Sequence, residues 1–343
     1  MNYFKNLTTN KNIYVLAALA VALFACKKSP ETVAAAEEVS VQAEAVETNI
    51  SKTARTVSGT VPSHDPSTIA RSGSTYFSFT TGTNIAKASS SNLSSWAYGP
   101  TVFNYRPSWI ASYVPNFNGE YWAPDIAWFN NRWNLYYSVS TFGSSRSAIG
   151  LVTAPSISVS GTSWTDRGVV VSSSSSSDVN AIDASILIDG SNVYMAWGSY
   201  FAGIAVIRID PSTGKPTGSR RIVAGGGGSD WEAPCLIKEG SYYYMFVNRG
   251  RCCQGLNSTY YIVVGRSTSP FGPFVDKNGR SLTSGGGTFV LGRQGNYIGP
   301  GHLSRMPGTQ RGSVHYYDGA NNGNPKLEIV YFSWSGGWPI LSY

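Results

Sequence analysis

Five residues of this chain carry chemistry and stand at corresponding places along it: Asp65, Trp122, Asp183, Glu232 and His302. A carboxylic acid, a second carboxylate and an aromatic platform suit cleavage of a glycosidic bond. The acid protonates the leaving oxygen, the carboxylate activates water, and the aromatic face takes the flat side of a sugar ring. Glu232 is read as the acid. To be protonated near neutral pH it needs burial or a neighbouring negative charge; Asp183 can supply the charge, and Trp231 and Pro234 a dry wall.

These residues need elements that bring them together, and the chain repeats one such element. Each precedes an apolar run, then a turn, then an aromatic run: Asp65 before Thr75–Thr80, Trp122 before Trp133–Ser138, Asp183 before Val193–Gly198, Glu232 before Tyr242–Asn248, and His302, less regularly, before Val314–Tyr317. The spacing, on the order of 50 to 60 residues, is that of propeller blades, and no amphipathic helix is evident from Ser58 onward. The fold class expected is all-β, a five-bladed β-propeller over residues 58–343. A lone Asp before a strand is ordinarily a turn former. Three acids, an indole and a His in register, in a chain with 19 acidic residues and three His, argue instead for one site.

Composition agrees. Charged residues make up 13% of the 343, aromatics another 13%, and Gly numbers 37, which favours short strands and tight turns. The formal charge of +7 is spread along the chain, with no basic run flanked by stackable aromatics, so no nucleic-acid partner is expected. The first 25 residues read as an export signal, with Lys5 and Lys11 ahead of the apolar run Ile13–Ala25, which is too short to span a membrane. Leu23-Phe-Ala-Cys26 is similar to a bacterial lipobox, which implies lipidation of Cys26 and anchoring at a bacterial membrane, on the cell-surface or periplasmic side. Residues 26–57, rich in Ala, Glu, Val and Ser, read as a flexible tether.

A set of motifs in order carries a resemblance: His64-Asp-Pro-Ser67, Trp122-Ala-Pro-Asp-Ile126, Tyr137–Gly143, Arg146–Gly150, Asn180-Ala-Ile-Asp183, Glu232-Ala-Pro234, Cys252-Cys253, Asn257-Ser-Thr-Tyr260 and Gly299-Pro-Gly-His302. Together they resemble the arabinanases of glycoside hydrolase family 43, from about Ser63 to Tyr343. The resemblance implies inverting hydrolysis of α-1,5-linked L-arabinan by a monomer. It implies Asp65 as general base, Glu232 as general acid and Asp183 as the residue that tunes and orients the acid. It further implies that Trp122, Phe142 and Asn180 contact substrate, and that His302 holds a metal ion, usually Ca2+, largely through water. Two departures stand out: Asp183 precedes Ala rather than Pro, which loosens its turn, and Asn248–Cys253 brings Arg249 and Arg251 toward the outer subsites.

Other readings stay open. The same fold serves arabinofuranosidases and β-xylosidases that remove single sugars, and the aromatic insert from Asn104 to Gly119 could close one end of the cleft. A surface glycan-binding lipoprotein without chemistry is the non-enzyme reading. Fructan enzymes of another propeller class carry Asn-Asp-Pro, Arg-Asp-Pro and Glu-Cys where this chain has His-Asp-Pro, Ile-Asp-Ala and Glu-Ala-Pro. No Cys and His spacing suits zinc. A ring between adjacent Cys252 and Cys253 would be strained, at a Cα spacing of about 3.8 Å, which leaves Cys235 paired with one of them, or free thiols. The runs Gly225–Gly228 and Gly285–Gly287 read as turns, since neither leads into Gly-Lys-Ser/Thr.

Overall fold

The computed structural model describes residues 61–225 and 230–343; the export signal, Cys26 and the tether fall outside them. Among the described residues, twenty-one strands form five antiparallel sheets arranged as a five-bladed β-propeller. Blade 1 holds β1 (Ala70–Ser72), β2 (Thr75–Thr80), β4 (Ala86–Ser90) and β5 (Ala97–Gly99), while β3 (Gly82–Thr83) joins the inner edge of blade 2. Blade 2 holds β6 (Glu120–Phe129), β7 (Arg132–Val139), β8 (Ser147–Ala154) and β9 (Thr165–Ser173); blade 3 holds β10 (Ser185–Asp189), β11 (Asn192–Trp197), β12 (Ile204–Asp210) and β13 (Lys215–Ala224). Blade 4 holds β14 (Glu232–Glu239), β15 (Tyr242–Arg249), β16 (Tyr261–Ser267) and β17 (Thr288–Leu291); blade 5 holds β18 (Tyr297–Arg305), β19 (Arg311–Asp318), β20 (Asn324–Ser335) and β21 (Trp338–Ser342). The innermost strands β6, β10, β14 and β18 adjoin in turn around the axis.

The core lies between blades. Five apolar clusters occupy the five interfaces, and the second strand of a blade serves two of them. In β15, Tyr243, Met245 and Val247 face the blade 3 side while Tyr244 and Phe246 face blade 5. In β11, Val193, Met195 and Trp197 face blade 2 while Tyr194 and Ala196 face blade 4. The two-residue period of a strand sends alternate side chains to opposite faces, and here both faces are covered. That is why these strands are apolar throughout rather than alternating. Truncating one such side chain, Phe246→Ala, removes packing worth about 3 to 5 kcal/mol.

Among the described residues, the ring closes without a shared strand. Pro62 forms a bridge with Lys326, Ser63 N–H donates to Pro325 O at 3.1 Å, and Val61, Ile69, Trp96, Met306 and Leu327 pack between blades 5 and 1. The aromatic insert does not reach the cleft. Its one-turn helix α1 (Ile110–Tyr113) and Phe117 pack into the core of blades 1 and 2, and Tyr113 O accepts from Arg146 Nε at 2.9 Å. No insert residue lines the cleft described below.

Candidate active site

At one end of the axis the backbone does the same unusual thing five times. Asp65, Ala123, Asp183, Ala233 and His302 all take the left-handed conformation, with φ of 49°, 44°, 63°, 49° and 53°. For a residue with a Cβ this costs on the order of 1 to 2 kcal/mol. Each is held by its N–H, which donates to a side chain of the preceding blade: Ala123 to Thr81 Oγ1 (2.9 Å), Asp183 to Ser138 Oγ (3.1 Å), Ala233 to Asp183 Oδ2 (3.1 Å), His302 to Asn248 Oδ1 (3.0 Å) and Asp65 to His315 Nδ1 (3.1 Å). These five bonds form a closed circle that links every blade to the next. Beneath it, Asp125 accepts from Thr68 N–H and Ile186 N–H, joining blades 1, 2 and 3.

The circle corrects the frame in which the five hairpins were compared. The equivalents of Asp65, Asp183 and His302 are Ala123 and Ala233, so Trp122 and Glu232 stand one residue earlier. The same bulge brackets the left-handed residue in β6, β14 and β18, so Gly301 is the equivalent of Trp122 and Glu232, and the blades differ in which of two successive residues carries the cleft side chain. Asp183 keeps the shared conformation although Ala184 follows it in place of Pro.

The residues expected to act on substrate or hold an ion, Asp65, Trp122, Phe142, Asn180, Asp183, Glu232 and His302, line one cleft of about 930 Å³. Phe142 is 87% exposed at its rim and Trp122 is half-buried. Asn180 is buried, and its Oδ1 accepts from Ser147 Oγ at 2.7 Å.

Asp65 is surrounded by donors. Thr81 Oγ1 donates to its Oδ2 at 2.6 Å and His64 Nδ1 lies 2.8 Å from the same oxygen. His315 Nδ1 and His302 Nδ1 stand 3.4 and 3.6 Å from Oδ1. Burial alone would raise the Asp65 carboxyl, but the charge on His64 and its hydrogen bond outweigh it and hold it well below its ordinary range. Burial likewise opposes charge on His64, yet Asp65 and Cys253 lift it to about 10. His315 is fully buried and pushed down to about 4 by burial and by the His64 charge. It is therefore neutral and able to accept the Asp65 N–H.

Glu232 has the opposite environment. Burial lifts its carboxyl to about 7, against a hydrogen bond from Ser199 Oγ to Oε2 at 3.0 Å. Its Oε1 is buried with no partner. Burial, rather than the Asp183 charge, is thus the leading cause. The dry wall is not the one expected, for neither Trp231 nor Pro234 lines the cleft; Tyr200 and Tyr260 do. Asp183 is itself driven well above its ordinary range by burial, Glu232 and Asp65.

The arginines are turned away from the cleft. Arg249 pairs with Asp230 at 2.9 Å and lies 4.1 Å over the Trp231 ring, Arg251 is exposed, and neither lines the cleft.

Sequence reading passed over His64, Thr81, Ser199, Tyr260, His315 and Tyr317 as participants. Ser199 and Tyr260 stand just beyond a strand end and just before a strand start, where cleft-facing residues collect; His64 adjoins Asp65.

The sequence matches Glycosyl hydrolases family 43 over residues 58–339. The chain belongs to that family. Over 283 residues it is 42% identical to extracellular endo-α-(1→5)-L-arabinanase 1 of Bacillus subtilis strain 168, covering 80% of this chain and 86% of that one. The solved exo-1,5-α-L-arabinanase from a bovine ruminal metagenomic library matches with TM-score 0.79 and 37% identity, covering 84% of this chain and 99% of that chain. The Cellvibrio cellulosa α-L-arabinanase complexed with arabinohexaose matches with TM-score 0.77 and 34% identity, covering 82% and 96%.

As a metal ligand His302 is suited only to a hydrated ion. It is buried, and burial lowers its pKa, so it offers a neutral imidazole; calcium needs six to eight oxygens. His64, Cys252 and His315 also bring ligand atoms within 4.8 Å of one another. The two imidazoles are stacked at 4.1 Å and 19°, so their in-plane lone pairs run side by side instead of converging on one ion.

Proposed function

We propose that this chain hydrolyses α-1,5-linked L-arabinan by an endo-acting, inverting mechanism. The observation that carries the reading is the opposed state of two carboxyls in one cleft: Asp65 ionised and held by donors, Glu232 protonated near neutral pH with a free Oε1. Paired carboxyls pushed apart in this way are the signature of an acid and a base. Glu232 protonates the leaving oxygen. Asp65 takes a proton from the attacking water on the opposite face, which requires about 6.5 to 9.5 Å between the carboxyls.

Asp183 orients the acid through Ala233. Trp122, Phe142 and Asn180 contact the sugar chain. The similarity to enzymes described as arabinanases supports the substrate class.

A calcium ion held through His302, with the rest of its shell water, would supply positive charge at the axis. The chain acts outside the cytoplasm as a monomer, tethered by lipid at Cys26; the relative described as extracellular supports export.

The test is digestion of linear arabinan, debranched arabinan, xylan and levan, with product sizes followed over time. A ladder of arabino-oligosaccharides from the arabinans alone is expected, and it should vanish in Glu232→Gln while oligosaccharide binding persists. A single early product would make the enzyme exo-acting, and activity confined to xylan or levan would overturn the reading.

A further inference from the structure

The proposed chemistry leaves two cleft thiols unused. Cys252 and Cys253 both line the cleft, whereas Cys235 is buried in the core between blades 4 and 5. The Cys252 Sγ lies 3.7 Å from His64 Nε2 and 3.4 Å from Tyr317 Oη. Cys253 is exposed; its Sγ lies 4.0 Å from the same His64 nitrogen, and its N–H donates to Tyr317 Oη at 2.8 Å. Two sulfurs therefore flank one imidazole nitrogen whose ring partner, Nδ1, bonds Asp65.

An accessible thiol beside a cationic imidazole, with a second thiol as neighbour, is the setting of reactive cysteines. The hydrogen bond from Cys252 and the charge on His64 hold Cys253 down to about 5, and the carboxylate of Asp65 is the opposing charge. Cys252 is held protonated by that same hydrogen bond and by burial.

We propose that Cys253 is a covalent modification site for small disulfides that enter the cleft, with Cys252 as its resolving thiol. The Cys253 thiolate attacks one sulfur of RSSR, forming a Cys253–S–S–R bond and expelling RS⁻. Cys252 then gives its proton to that thiolate, and its sulfur attacks the Cys253 sulfur and expels a second RS⁻, which takes a proton from water. The two protein thiols are oxidised by two electrons to a Cys252–Cys253 disulfide, and RSSR is reduced to two thiols. The ring spans one peptide bond, with a Cα separation of about 3.8 Å against the usual 4.4 to 6.8 Å, so dithiothreitol reverses it readily. Until it is resolved, the adduct stands beside His64 and Asp65 and blocks the sugar path.

The thiol count tests this without reference to the proposed activity; only the hydrolysis readout rests on that reading. The full chain is treated with 5,5′-dithiobis(2-nitrobenzoate), and released thionitrobenzoate is counted against the Cys252→Ser/Cys253→Ser double variant, in which the remaining cysteines cancel. Wild type should release two extra equivalents and retain no adduct by mass. Cys252→Ser should release one, retain the adduct, and lose at least tenfold of its own untreated arabinan hydrolysis until dithiothreitol is added. Arabino-oligosaccharide should slow the reaction at least tenfold. The proposal fails if wild type and the double variant release equal amounts, if Cys253→Ser reacts as fast as wild type, or if modified Cys252→Ser keeps its hydrolysis.

Discussion

The backbone N–H of Ala233 donates to Asp183 Oδ2 at 3.1 Å, so a carboxyl of blade 3 holds the residue that follows Glu232 in blade 4. The third acid of the cleft thereby fixes the aim of the first. Asp183→Ala leaves that buried N–H without its acceptor, and a displacement of the acid by about 1 Å can cost roughly a hundredfold in rate. Asp183→Asn keeps an oxygen in place. We expect kcat to fall at least tenfold further in Asp183→Ala than in Asp183→Asn, measured on linear arabinan; equal losses would remove the orienting role.

The pH profile follows from the two carboxyls. Glu232 acts as an acid only while protonated, so kcat/KM should fall about tenfold per pH unit above pH 7, where its carboxyl titrates. Asp65, held well below its ordinary range, remains ionised throughout the weakly acidic region and gives no loss there. A profile that stays flat to pH 9 would contradict the assignment of Glu232.

Thr81 joins the base to the circle of inter-blade bonds. Its hydroxyl donates to Asp65 Oδ2 and accepts from Ala123 N–H. Thr81→Val is nearly isosteric, strands the Ala123 N–H and leaves Asp65 Oδ2 with His64 alone, so it should destabilise by about 1 to 3 kcal/mol and lower kcat together. Denaturant unfolding and steady-state rates on the same preparation check this; a loss of stability with kcat unchanged would mean that Asp65 does not depend on Thr81.

Glu328 lies away from the cleft, 2% exposed, with Oε2 unpartnered and Oε1 accepting from Ile329 N–H. Burial lifts its carboxyl from 4.5 to about 7. Between those values the folded chain binds the proton that the unfolded chain has lost, so this group makes stability fall as pH rises through that window. Glu328→Gln should therefore stabilise at pH 8, by up to about 3 kcal/mol, and much less at pH 4. Melting temperatures at both values decide it; a variant less stable than wild type at pH 8 would refute it.

Much of this was legible in the sequence, for a physical reason. A blade is a local hairpin repeat, and second strands such as Tyr242–Arg249 show their two-sided burial in an unbroken apolar and aromatic run. The positions of Asp65, Asp183 and His302 followed from that repeat. The one-residue offset of Trp122 and Glu232 did not, because bulges and left-handed residues leave no periodic trace. Nor did the cluster of His64, His315 and Tyr317 around Asp65, since it joins opposite ends of the chain: His64 Nε2 meets Tyr317 Oη at 2.8 Å across 253 residues. The arginines misled for a related reason. Three residues before Cys252 in sequence, Arg249 nevertheless points behind the cleft to Asp230 and Trp231.

The division of labour between Glu232 and Asp65 is tested most directly by a substrate that needs no acid. A 2,4-dinitrophenyl α-1,5-arabinobioside has a leaving group that departs without protonation, whereas arabinan does not. Glu232→Ala should retain at least a hundredfold more of its wild-type rate on the dinitrophenyl substrate than on arabinan, and Asp65→Ala should be crippled equally on both. Equal losses for Glu232→Ala on the two substrates, or selective rescue of Asp65→Ala, would contradict the account.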